Sequence, residues 1–149
     1  MNDGTAPVEY SVESDASPAF AWSYWTDVRN WADPPARFTL DGEFSAGSTG
    51  TTWMPGQEPL HWVIEAVEPW RSAKIQMQLD RATLSFEWRF EPLPDHRTKL
   101  TQRIALGGEN AEAYTAAQAA FRANVADGMN RMAAAMAHAE AAARNGSLL

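Results

Sequence analysis

The sequence predicts an α+β protein: a curled antiparallel sheet of about seven strands around one long C-terminal helix, with one or two short helices after the first strand. Three observations predict it. Between residues 74 and 106, apolar and polar side chains alternate in runs, as half-buried strands require. From Ala111 to Ala143, 16 of 33 residues are alanine, and the larger apolar side chains recur at helical spacing. No repeat or second domain is visible, so 1–149 reads as one domain, with 1–6 and 145–149 frayed.

The elements follow in order. Val8, Tyr10 and Val12 alternate with Glu9, Ser11 and Glu13, which predicts a strand. Ser17-Pro18 opens a helix, serine as N-cap and proline at the first helical position, with Ala21, Trp22 and Trp25 able to face inward. Asp33-Pro34-Pro35 closes this helical region, and residues 29–32 are a candidate second short helix. Phe38, Leu40 and Phe44 share a parity, with a bend at Asp41-Gly42. Gly47 and Gly50 bracket a turn, Thr51 to Met54 is strand-like, and Pro55-Gly56 turns again. Leu60 to Val67 is apolar on both parities, so its inward face is undetermined. Ile75, Met77 and Leu79, then Leu84, Phe86, Trp88 and Phe90, then Leu100, Gln102, Ile104 and Leu106, define inward faces opposite polar neighbours. Gly107-Gly108 ends the sheet, and Asn110 is placed to cap a helix reaching Arg144. At 100° per residue Tyr114, Gln118, Phe121, Val125, Met129, Met132, Met136 and Ala139 share one stripe, opposite the pair Asp127 and Arg131.

Composition narrows the functions. The net charge is −7 and the basic residues are scattered, which argues against nucleic acid and anionic membrane as partners. There is no cysteine, hence no disulfide, thiol nucleophile or thiolate metal site. No apolar run is long enough to span a bilayer, the first residues do not resemble a secretory signal, and a cytoplasmic location is expected.

In this order the pieces resemble the SRPBCC (START-like, helix-grip) superfamily over nearly the whole chain. Ser17-Pro18-Ala19-Phe20-Ala21-Trp22 through Trp25-Thr26-Asp27 resembles its first-helix pattern, and Trp31 its following tryptophan. Asp41-Gly42-Glu43-Phe44 with Gly47 and Gly50 resembles its second and third strands, and Trp62-Val63-Ile64-Glu65 through Glu68-Pro69 its fourth strand and exit. The nearest flavour is the bacterial polyketide cyclase/dehydrase and lipid transport group. The resemblance implies a cavity between the concave sheet face and the long helix. It does not fix a function, because such folds serve carriers, cyclases, receptors and chaperone activators alike.

The candidate ligand-binding residues are Met77, Phe86, Trp88, Phe90, Gln102, Tyr114, Gln118, Phe121 and Val125. The aromatic ones, with Trp22 and Trp25, either fill a core or line a cavity. Gln102, Tyr114 and Gln118 are the polar groups expected inside. They either bond one another or ordered water, or orient a ligand's carbonyl or hydroxyl. Gly128, near the edge of the stripe, either kinks the helix, leaves room for a ligand or permits close packing. His61, His96 and His138 lack metal-ligand spacing, so no metal and no cofactor are expected. Of the three, His61 is the one placed to border a cavity. Gly47-x-x-Gly50 is a hairpin turn and not a phosphate loop. Glu65 is the single acid plausible on an inward face, which leaves no acid–base pair to assign and no catalytic residue to name.

The leading functional expectation is binding or transport of a small hydrophobic ligand that is aromatic, polyketide-like or lipid-like. One alternative is a cyclase or aromatase acting by holding a flexible chain in a reactive shape, with Tyr114 as a weak acid. Another is a protein-interaction module like the chaperone-ATPase activators, which needs an exposed apolar patch that the outer sheet face, with Lys74, Gln76, Glu87, Arg89, Lys99 and Arg103, does not offer. Whether the protein catalyses a reaction, and whether it is a monomer or a homodimer, the sequence leaves open.

Overall fold

A computed structural model describes residues 5–31 and 35–146. Seven strands form one antiparallel sheet: β1 (Val8–Ser14), β2 (Arg37–Leu40), β3 (Thr49–Trp53), β4 (Leu60–Glu68), β5 (Ser72–Leu79), β6 (Ala82–Leu93) and β7 (Arg97–Gly107). Their spatial order is β1-β7-β6-β5-β4-β3-β2, so the sheet is open, with β1 and β2 at its edges. Helix α1 (Pro18–Thr26) and a 3₁₀ turn (Val28–Asn30) carry the chain from one edge to the other. Helix α2 (Thr115–Gly146) closes the fold after a 3₁₀ turn at Ala111–Tyr114. Its 32 residues span about 48 Å at ~1.5 Å per residue.

The expected α+β, helix-grip architecture is what the chain adopts. Ser17 caps α1 by accepting from the Phe20 N–H, Pro18 opens the helix, and Ala21, Trp22 and Trp25 are its buried residues. The second short helix is the 3₁₀ turn, which starts one residue earlier than expected. Asp27 caps it, and the hydrogen bond from the Arg29 guanidinium holds the Asp27 carboxyl below its usual range. Ala32, Asp33 and Pro34 lie outside the described residues, as do 1–4 and 147–149. Ala6, within the stretch expected to fray, is tied down by bonds from Gln118 Nε2 and Arg122 to its carbonyl, and α2 runs on to Gly146.

Three local expectations are corrected. Gly50 is not in a turn. It lies inside β3 opposite Trp62, whose indole occupies the space a Cβ would need. Leu60 to Val67 read ambiguously because β4 changes parity at a bulge between Ile64 and Ala66. Trp62 and Ile64 point inward before it, Ile64 opposite Ile75, and Val67 stands opposite the buried Ala73 after it. Asn110 does not cap the helix with its side chain: its Nδ2 donates to the Asp80 carbonyl, and the chain enters α2 through the 3₁₀ turn instead.

Helix α2 runs alongside β1 in the same direction and is pinned at three levels. Gln118 bonds Ala6 O, Ser14 Oγ donates to Ala133 O at 2.7 Å, and Glu140 accepts from the Ser17 N–H at 2.9 Å and the Ser17 hydroxyl at 2.6 Å. The turn between β5 and β6 holds the other flank of the helix start, since Asn110 N–H donates to Arg81 O and Asp80 N–H to Tyr114 Oη. On the outer sheet face Glu9 pairs with Arg89 and Arg103, and Glu65 with Lys74. That face is solvated charge.

Candidate ligand site

The inward side chains sort into two clusters. The first lies beneath α1. Trp22, Trp25, Trp62, Trp88 and Phe90 are all buried there, and the Trp25 ring sits 5.2 Å from Trp88, 5.4 Å from Phe90 and 5.2 Å from Phe44. Two of its indoles find partners: the buried Trp62 donates from Nε1 to Thr52 Oγ1, and the half-buried Trp31 from Nε1 to Trp25 O. The second cluster, Val8, Ala82, Leu84, Ile104, Leu106 and Ala111, lies under the first turns of α2.

Between the two runs a seam that is only half-buried. Met77, Phe86 and Val125 pack against both clusters, while Tyr114 and Phe121 border the second and Tyr10 the first. The Phe121 ring meets Phe86 edge-on at 5.4 Å. Phe121 is also part of a surface cleft of about 380 Å³ on the flank of α2, whose rim is Ala120, Asn124, Asp127 and Arg131. Gly128 lies on this same flank, and a Cβ there would meet nothing nearer than Arg131 Nη2 at 4.0 Å. Close packing therefore does not require that glycine. A second open cleft of similar volume lies by Trp31, Arg37 and Phe38, at the edge of the aromatic cluster away from the seam.

The polar groups along the seam are uncharged. Tyr10, Gln102 and Trp88 stand abreast on β1, β7 and β6, and neither the Tyr10 hydroxyl nor the Gln102 amide bonds another described residue. Tyr114 is half-buried, with its hydroxyl accepting from Asp80 N–H at 3.0 Å. Gln118 has no exposed surface. Its Nε2 donates to Ala6 O at 3.0 Å and Ile104 O at 3.2 Å, and its Oε1 is buried without a partner among the described residues.

The structure thus brings Met77, Phe86, Gln102, Tyr114, Gln118, Phe121 and Val125 around the seam and its second cluster. It puts Phe90 and Trp88 in the buried aromatic core. Glu65 is exposed at the bulge and ion-paired, so it does not face inward. His61, His96 and His138 are exposed, with His61 Nδ1 beside Thr51 Oγ1 at 3.2 Å, and among the described residues no group of three acids or histidines gathers to hold a metal. Two residues escaped sequence reasoning. Tyr10 shares the inward parity of Val8 and Val12, so its place was readable. Glu140 is one position beyond the end of the helical stripe, and nothing local marks it as the partner of Ser17.

A curled sheet gripping a long helix over an apolar interior is the helix-grip, ligand-binding fold. The chain belongs to the family described as polyketide cyclase / dehydrase and lipid transport, whose model matches residues 5–137. Solved structures share the fold. A protein from Arthrobacter aurescens superposes with TM-score 0.71 at 17% identity, covering 93% of this chain and 90% of that one. A norcoclaurine synthase point mutant from Thalictrum flavum, in complex with a transition-state analogue, gives 0.69 at 11%, covering 90% and 94%. The Aha1 dimer from Colwellia psychrerythraea gives 0.63 at 14%, covering 86% and 93%. No curated protein sequence matches the chain. Among the described residues no helix is long and apolar enough to cross a membrane.

Proposed function

We propose that this protein binds a small, largely apolar molecule, aromatic, polyketide-like or lipid-like, along the seam between α2 and the concave face of the sheet. The observation that carries the reading is the half-buried state of Met77, Phe86, Phe121 and Val125 between two buried clusters, next to Tyr10 and Gln102, whose polar ends bond no other described residue. Apolar lining with a few convergent polar groups is the ordinary make-up of a small-molecule site. Binding extends the burial of those four side chains, which drives association. The amides and phenols available to a ligand are suited to orienting it. The family description and the norcoclaurine synthase likeness keep a cyclase-like activity in view, and any rate gain would come from holding a flexible substrate in shape.

The test is a titration of tryptophan emission with a panel of polycyclic phenols and fatty acids. Trp88 stands beside Gln102 and reports on the seam. The expected result is saturable binding that changes little with salt, because the contacts are uncharged. Failure of every probe to bind more tightly than ~1 mM would contradict the proposal.

A further inference from the structure

The seam's most buried polar group restricts which ligand can use it, and this inference rests on the ligand-binding reading above. Gln118 sits on the inward face of α2 between the turns bearing Tyr114 and Phe121, over the second apolar cluster. Both carbonyls near its amide, Ala6 O and Ile104 O, accept from Nε2. Turning the amide over would set Oε1 against those two acceptors, so the orientation is fixed by chemistry. What remains is Oε1, an acceptor with no partner among the described residues, in a place where an unmet acceptor is costly. The Tyr114 hydroxyl oxygen, one turn away, accepts from Asp80 N–H at 3.0 Å.

We infer that the ligand is a hydrogen-bond donor: an apolar molecule carrying a hydroxyl or N–H that donates to Gln118 Oε1, entering past Phe121 from the cleft on the flank of α2. A carboxylate or a ketone brings only acceptors and gains nothing from this oxygen. The chemical class is therefore a phenol, alcohol or amine-bearing hydrophobe rather than a fatty acid anion.

The experiment compares naphthol with its methyl ether by calorimetric titration. The ether keeps the rings and the oxygen and loses only the donor. It is also the more apolar of the two, so an apolar site without a waiting acceptor prefers the ether. The expected result is naphthol binding about tenfold more tightly, in line with one buried hydrogen bond. In Gln118→Met that preference should vanish, while in Gln102→Leu it should persist. If both probes bind wild type and the ether matches or exceeds naphthol, the inference is overturned while the ligand-binding reading stands, and an ordered water is the better partner for Oε1. A preference lost in Gln102→Leu but kept in Gln118→Met overturns it too. If neither probe binds, the seam reading itself falls, and this inference with it. The wild-type comparison decides the matter even if Gln118→Met does not fold.

Discussion

At the scale of single residues, Gly128 and Phe121 report how open the flank of α2 is. A glycine inside a helix costs about 1 kcal/mol relative to alanine, and the structure offers no close contact that requires it. Gly128→Ala should therefore stabilise the protein by up to ~1 kcal/mol in a denaturant melt. A destabilisation would mean that the flank packs more tightly than the structure indicates. Phe121 is half-buried against Phe86 and borders the cleft. Phe121→Ala should cost about 1–2 kcal/mol, below the ~3–5 typical of a ring truncated in a sealed core. A larger loss would place the ring in a closed interior and weaken the case for a seam.

At the scale of elements, the grip depends on polar clamps between α2 and the chain around β1. The Glu140 carboxylate, on a nearly buried side chain, accepts two bonds from Ser17 at the start of α1, so it ties the last third of α2 to the helix that covers the aromatic cluster. Hydrogen bonds to a charged group are worth about 1.5–3 kcal/mol, and removing one partner strands the other. Glu140→Ala should thus cost about 2–3 kcal/mol. Combined with Ser17→Ala, the loss should be clearly less than additive in a double-mutant cycle. Additive losses would show that the two residues act independently.

The same scale shows what the sequence reveals and where it stops. Strands β5, β6 and β7 were legible because each has one wet face, so parity alone gave Phe86 and Gln102 their side. The stripe on α2 was legible for the same reason, with Gln118, Met129 and Met136 buried as expected. Strand β4 was not, because a bulge at Glu65 reverses parity partway and no local pattern announces it. The start of α2 is not legible locally, because Asn110 finds its partner 30 residues away, at Asp80. The candidate site was half legible. Periodicity says which side chains turn inward, but not that Trp88 and Phe90 meet Trp25 and close one end, which depends on how α1 is laid over the sheet.

At the scale of the whole molecule, the fold holds two buried clusters with a half-buried seam between them. A ligand that binds only the native state stabilises it by mass action. Naphthol at ten times its Kd should add about 1.4 kcal/mol and raise Tm by a few degrees. If the ligand lies along the seam, the methionines can locate it. Met77 is in the seam, Met129 and Met136 are sealed beneath α2, and Met54 is beyond the far end of β3. In a methionine-methyl NMR titration with naphthol, the Met77 resonance should move most while the Met54 and Met136 resonances stay in place. A ligand that shifted Met54 and left Met77 unmoved would bind elsewhere, and the seam would be no more than loosely packed core.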